Sequence, residues 1–294
     1  MWSALMVLSK AGIYASLIGS MGAAFSLWLI YTSSRPLIRK VSVYGLYSAL
    51  CGAFLVCFAL FFQVGMTAQS GLSGMFDFGL LSFLWATPVG EVVRIRLVGL
   101  FVAGIGFTLI IFGISRTEKL LPFLFGGSVF LLAASFFVSG HTAGLTALPK
   151  IAIGLHLVCI GFWIGSLLPL FWAVAVLPAK DSAVLLKRFG DMAIWLVVLL
   201  TVAGGFLIIE LLGSPLNLFR STYGGGLVLK FSLVLILLLM AARNRYSLVP
   251  RIAEDSENSA DEFRVTVIFE MIFAVMIFIV IAAVTTLTGP GLVP

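Results

Sequence analysis

A chain of 294 residues that is 61% hydrophobic and 10% charged, with a mean hydropathy of +1.19, excludes an ordinary water-soluble domain, because soluble domains are about half apolar. The net charge of +6 does not point to nucleic acid, since the basic residues fall in short clusters between apolar runs and build no stripe. The expected fold is all-α: one integral membrane domain over residues 1–294, a polytopic helical bundle in contact with lipid.

A crossing helix needs about 20 mainly apolar residues. The first such run covers residues 10–31, and it reads as a retained helix because no basic segment or small-residue cleavage site precedes it. After Ser33-Ser34-Arg35-Pro36 comes a second run, 42–65, holding Cys51 and Cys57. The stretch from Gly71 to Pro88 is too long and mixed for a tight turn; with Phe76, Phe78, Phe83 and Trp85 it predicts a short interfacial helix at the headgroup level. Further spans follow at 91–114, 120–139, 151–177, 192–212, 226–243 and 265–287, eight in all. Loops such as Ser115-Arg116-Thr117-Glu118-Lys119 and Gly213-Ser214-Pro215 separate them. Gly161 and Gly165, four apart in the fifth span, form a small-residue seam for close helix approach. An odd number of cysteines inside apolar runs makes no disulfide framework. No phosphate-cradling Gly-Lys-Ser/Thr motif is present, which excludes an ATP-driven pump.

Orientation follows from the lysines and arginines of alternate loops. Twelve gather on one side (Arg35, Arg39, Lys40, Arg116, Lys119, Lys180, Lys187, Arg188, Arg243, Arg245, Arg251 and Arg264) and six on the other: Lys10, Arg94, Arg96, Lys150, Arg220 and Lys230. The richer side is expected to be cytoplasmic, with both termini periplasmic. The acidic run around Glu254, Asp255 and Glu257 then reads as a solvated cytoplasmic loop.

Only two histidines are present. His141 closes the fourth expected span, and His156 lies about five residues into the fifth, roughly 8 Å along its axis. A short connection makes these helices antiparallel neighbours, so both imidazoles fall near the outer boundary. Cys159 follows His156 at i+3, on the same helix face, with Trp163 a turn further. Two imidazoles with a thiolate or thioether suit copper, the softer sulfur favouring the cuprous form. Met66 and Met75, with Asp77 or Met21, are the candidates for added sulfur or oxygen. Packing remains the competing reading for each of these residues, above all the methionines.

Charges form a second set. Glu91, Arg94 and Arg96 open the third span, Glu210 closes the sixth and Lys230 opens the seventh, all at the outer end. Glu91 or Glu210 paired with Arg94 or Lys230 would be a structural clamp or the guard of a cation entry path. Glu270 lies about two turns in from the cytoplasmic face of the last span. It is expected to pair with Arg243 or Arg245, or to stand on an exit route.

Several of these residues sit in blocks that resemble a known family. Ser139-Gly140-His141-Thr142, then His156-Leu157-Val158-Cys159 and Phe162-Trp163-Ile164-Gly165-Ser166-Leu167-Leu168-Pro169-Leu170, are similar to the CopD copper-resistance membrane proteins. So are Ser221-Thr222-Tyr223-Gly224-Gly225-Gly226-Leu227-Val228-Leu229-Lys230, Ala242-Arg243-Asn244-Arg245-Tyr246 with its continuation to Arg251, and Glu270. The likeness runs from about residue 90 to 280 with matching span order. It implies a bacterial inner-membrane protein that transports or handles copper, Cu+ or Cu2+, without enzymatic turnover, and that works with a periplasmic copper-binding protein. His141 and His156 would be the ligands. Two positions where relatives carry histidine are Ile13 and Ile153 here, which shifts the burden to sulfur or to another metal. Two other readings stay open: a membrane electron carrier holding haem between the histidines, and a copper relay or assembly subunit that does not transport.

Overall fold

The computed structural model describes residues 1–31, 34–114, 119–138, 146–212, 222–256 and 258–287, the side chains of 208–212 and 222–224 excepted. Every regular element among them is helical. That outcome is forced in lipid, where a segment must satisfy its own backbone hydrogen bonds. In chain order the elements are α1 (Trp2–Leu29), α2 (Arg35–Ala68), a 3-10 turn (Leu72–Phe76), α3 (Phe78–Trp85), α4 (Pro88–Ile111), α5 (Leu121–Ala134), α6 (Ala147–Trp163), α7 (Leu167–Val176) and α8 (Ala179–Leu212). They continue with α9 (Thr222–Arg243), a π-type turn (Asn244–Leu248), α10 (Val249–Ala253) and α11 (Ser259–Leu287).

Proline at the first or second position starts α2, α4, α5 and α10, where a missing N–H costs nothing and the fixed φ is already helical. Thr87 caps α4 by accepting from Val89 N at 3.3 Å, and Asp77 caps α3 by accepting from Leu80 N at 3.0 Å. Proline also explains two departures from regular helix. Pro169 cannot donate to the Gly165 carbonyl, and the fifth expected span is accordingly two helices, α6 and α7, interrupted at 164–166. Pro250 leaves the Tyr246 carbonyl without its usual donor, and the turn before it widens to the π form.

Among the described residues seven stretches are long and apolar enough to cross a membrane, counting α6–α7 as one. The fourth expected span is the exception among the described residues: α5 has 14 residues, about 21 Å of helix. By contrast, α2 and α8 each have 34 residues, about 51 Å, well beyond a hydrocarbon core of about 30 Å. Helix starts other than that of α5 precede the hydrophobic runs read from the sequence, because polar turns such as 35–40 and 180–191 stay helical outside the apolar layer.

α1 is the hub, packed on α2, α11 and α6, while α4 packs on α2 and α5, α8 on α6, and α9 on α11. In their most apolar windows 56% of α1 is buried but only 6% of α8, so α8 faces outward along most of its length. The seam expected at Gly161 and Gly165 is where α1 arrives. A Cβ on Gly22 would run into the Gly165 backbone, and one on Gly165 into the Ile18 carbonyl oxygen. Ser166 Oγ donates to the Gly22 carbonyl at 3.4 Å beside this contact. Any larger residue would push the two helices apart.

Candidate functional site

His156 lies on α6 against α8, its ring Cε1 4.0 Å from where a Cβ on Gly204 would stand. The Leu200 carbonyl and the Lys230 ammonium of α9 both act on the ring. Its Nδ1 is buried and has no hydrogen-bond partner among the described residues. One turn on, the free thiol of Cys159 is 1% exposed. Trp163 follows, also buried, and Met21 Sδ of α1 packs at Gly161, two residues past Cys159. His156 and Cys159 thus stand one turn apart on α6, the imidazole Nδ1 and the thiol both buried.

The remaining candidates are dispersed. His141 lies outside the described residues, and Glu210 belongs to α8 with its side chain outside them. Met66 is 38% exposed near the end of α2, and Met75 sits on the 3-10 turn that packs on α2, whereas α6 packs on α1, α5 and α8. No group of three or more His, Cys, Asp and Glu side chains comes together among the described residues.

Arg94 has partners other than the expected Glu91, while a pair made by Glu210 lies outside the described side chains. Arg94 Nη1 donates to the Trp85 carbonyl at 2.8 Å and lies over the Trp85 ring, 5.3 Å from its centroid. The carbonyl end of α3, with its partial negative charge, takes the place expected for Glu91. Glu91 itself is exposed and makes no ion pair among the described residues. Arg96 Nε donates to Ser135 Oγ at 3.1 Å, with its guanidinium over Phe136, and so ties α4 to the end of α5. Lys10 Nζ reaches the Thr285 carbonyl at 3.5 Å.

Glu270 is 2% exposed, and its partner is neither neighbouring arginine. Asn244 Nδ2 donates to Glu270 Oε1 at 2.7 Å. Arg243 turns instead to Thr266 Oγ1 (3.1 Å) and Glu262 (3.6 Å), and Arg245 to Asp191 (2.6 Å). Successive residues point about 100° apart on a helix, so only one of the three faces α11 at the level of Glu270. Asn244 escapes sequence reading because it stands between two arginines that look like better counterions. The signal that it was there is its amide, a polar group at the end of an apolar span.

Residues 183–284 match the family model of CopD, copper resistance protein D. The family resemblance expected from the sequence is borne out, over a shorter stretch than residues 90–280. The CopD-matched segment includes most of α8, all of α9 and most of α11, with Lys230, Asn244 and Glu270 inside it and His156 and Cys159 before it. The chain is also similar to the inner membrane protein YebZ of Escherichia coli (strain K12), 28% identical over 177 residues, or 58% of this chain. That match spans 60% of the relative's length. No solved structure matches.

Proposed function

We propose that this protein handles copper in the bacterial inner membrane, taking the ion as cargo at a shallow periplasmic-side site and moving it across or into the membrane without enzymatic turnover. The copper-resistance family match and an inner-membrane relative support the setting. The observation that carries the site is the unpartnered Nδ1 of His156 with the Cys159 thiol one turn away. Nitrogen and sulfur donors suit cuprous copper better than hard cations. His141 completes the pair in this reading, and a periplasmic copper-binding protein delivers the ion. Lys230 beside the imidazole opposes long residence of a cation, which fits passage rather than storage, since conduction needs binding weak enough to release. The bundle crosses eight times with α5 as its short crossing, α3 rests at the headgroup level, and both termini are periplasmic.

The test is copper per protein after anaerobic Cu(I) loading of the purified full chain, read by mass spectrometry. The double variant His156→Ala with Cys159→Ser is expected to lose most of the bound copper. Unchanged copper in that variant would sink the site, and absence of copper uptake by liposomes holding the unaltered chain would sink transport.

A further inference from the structure

Glu270 is the one carboxyl buried among the described residues, and it stands within a membrane-spanning helix, where a lone charge is costly. The elements packed on α11 are α1, α7, α9, α10 and the π-type turn, and none brings it a counterion. Arg243 of α9 is held by Thr266 and Glu262, and Arg245 of the turn by Asp191 of α8. Arg251 of α10 grips Glu262, and Arg264 of α11 itself pairs with Asp261. Lys10 of α1 reaches the Thr285 carbonyl, about four turns further along α11, and Tyr14 packs on Phe136. Lys230 lies over Phe231 at the far end of α9, and α7 has no ionisable side chain. What Glu270 does have is one hydrogen bond from a neutral amide, Asn244 Nδ2 to Oε1 at 2.7 Å. Its Oε2 receives none among the described residues.

Glu270 lines a cavity of about 280 Å³ that extends along α8 from Leu186 to Val198, about 18 Å of helix. Arg245 and Tyr246, the latter 71% exposed, line it toward the α10–α11 end of the bundle. Trp163, one turn past Cys159 on α6, is also on its wall. The walls are otherwise almost wholly apolar, so they do nothing to offset a carboxylate. A carboxylic acid fits the same place with one proton in lieu of a counterion, since Oε1 still accepts from Asn244 while the other oxygen carries the proton. We propose that Glu270 is a proton-exchange site, an acid at neutral pH that trades its proton with the α10–α11 side through this cavity and whose carboxylate balances a cation passing near Trp163. In that exchange the carboxyl O–H bond breaks, the proton leaves to water, and a singly charged cation takes its place. When the cation departs the proton returns, so the buried charge stays constant and no electron moves. Only the balancing role rests on the copper reading. A single hard carboxylate balances a cuprous ion without binding it tightly.

Infrared difference spectra of the full chain in lipid at neutral pH, unaltered minus Glu270→Gln, test the proton. A carboxylic-acid C=O band is expected in the unaltered chain alone, and it should move to its deuterated position on equilibration in D2O. Absence of that band, its survival in Glu270→Gln, or a band that D2O never shifts overturns the proposal. The last result is what a sealed, purely structural acid gives. If the variant does not elute as a single species, the band and its exchange on the unaltered chain decide, since no other described carboxyl is buried. Copper uptake by liposomes tests the balancing role. Glu270→Gln should slow it at least about tenfold, a barrier change of about 1.4 kcal/mol, while copper loading of the purified chain stays the same. Uptake at the unaltered rate overturns that role. No uptake by the unaltered chain sinks the copper reading and the balancing role with it, and the infrared result still decides the proton site.

Discussion

The two ends of the helical bundle treat charge in opposite ways. At the end near the α10–α11 connection, Arg251 grips Glu262 with two hydrogen bonds of 3.0 and 3.3 Å, Arg264 pairs with Asp261 at 3.1 Å, and Arg245 with Asp191 at 2.6 Å. Inside this ring of pairs sits the buried Asn244–Glu270 contact. At the opposite end Lys10, Arg94 and Arg96 turn to carbonyls, a hydroxyl and aromatic rings, and Lys230 Nζ lies over the Phe231 ring, 5.9 Å from its centroid. No carboxylate closes an ion pair there among the described residues. One end is fastened by ion pairs, and the other, open of such pairs among the described residues, holds its cations on carbonyls, a hydroxyl and aromatic rings.

The contrast depends first on the contact that joins the halves. Gly165→Val would force a branched side chain into the Ile18 carbonyl and the Gly22 backbone, neither of which can step aside. We expect no monodisperse peak in detergent chromatography; a normal elution profile would show that α1 and α6 do not need their close approach. Next in size, Asn244→Ala strips the buried Glu270 carboxyl of its donor and should lower stability by about 1–3 kcal/mol. Glu270→Gln keeps an oxygen that can accept from Asn244 and should cost less than half as much. Equal thermal midpoints for the two variants would mean that the pair does not fasten that end.

The bundle was legible in the sequence because an uninterrupted apolar run in lipid has one local solution, the helix. Gly161 and Gly165 announced a close approach for the same reason, since small residues four apart mark a seam. The side-chain partners were less legible. Arg94 had Glu91 at i+3, a pairing the spacing allows, yet the Trp85 carbonyl lies nearer once α3 folds back at Thr87. Asn244 was hidden by charged neighbours, because charge is visible in a sequence while the direction of a residue in a π-type turn is not. The break at 164–166 could have been read from Pro169, whose missing N–H sits in the middle of an expected span.

Two smaller effects sharpen the comparison. Lys230→Met removes the positive charge that acts on His156 while keeping a long unbranched side chain. If the open end is built for passage, copper retained after washing should rise about threefold to tenfold, a change of about 0.7–1.4 kcal/mol. A fall in retention would make Lys230 a support of the site and not its release device.

Arg251→Met addresses the fastened end at its weakest point. The Arg251–Glu262 contact is about 40% exposed on both sides, so its two hydrogen bonds are worth only about 0.5 kcal/mol. Arg243 also reaches Glu262, at 3.6 Å, and would keep the carboxylate partly engaged. The thermal midpoint should therefore fall by no more than a few degrees at low salt, and the difference should vanish near 1 M salt, where the screening length drops to about 3 Å. A large loss that persists in high salt would mean that the arginine holds α10 to α11 through its packed stem and not its charge, and the fastening of this end would then be apolar.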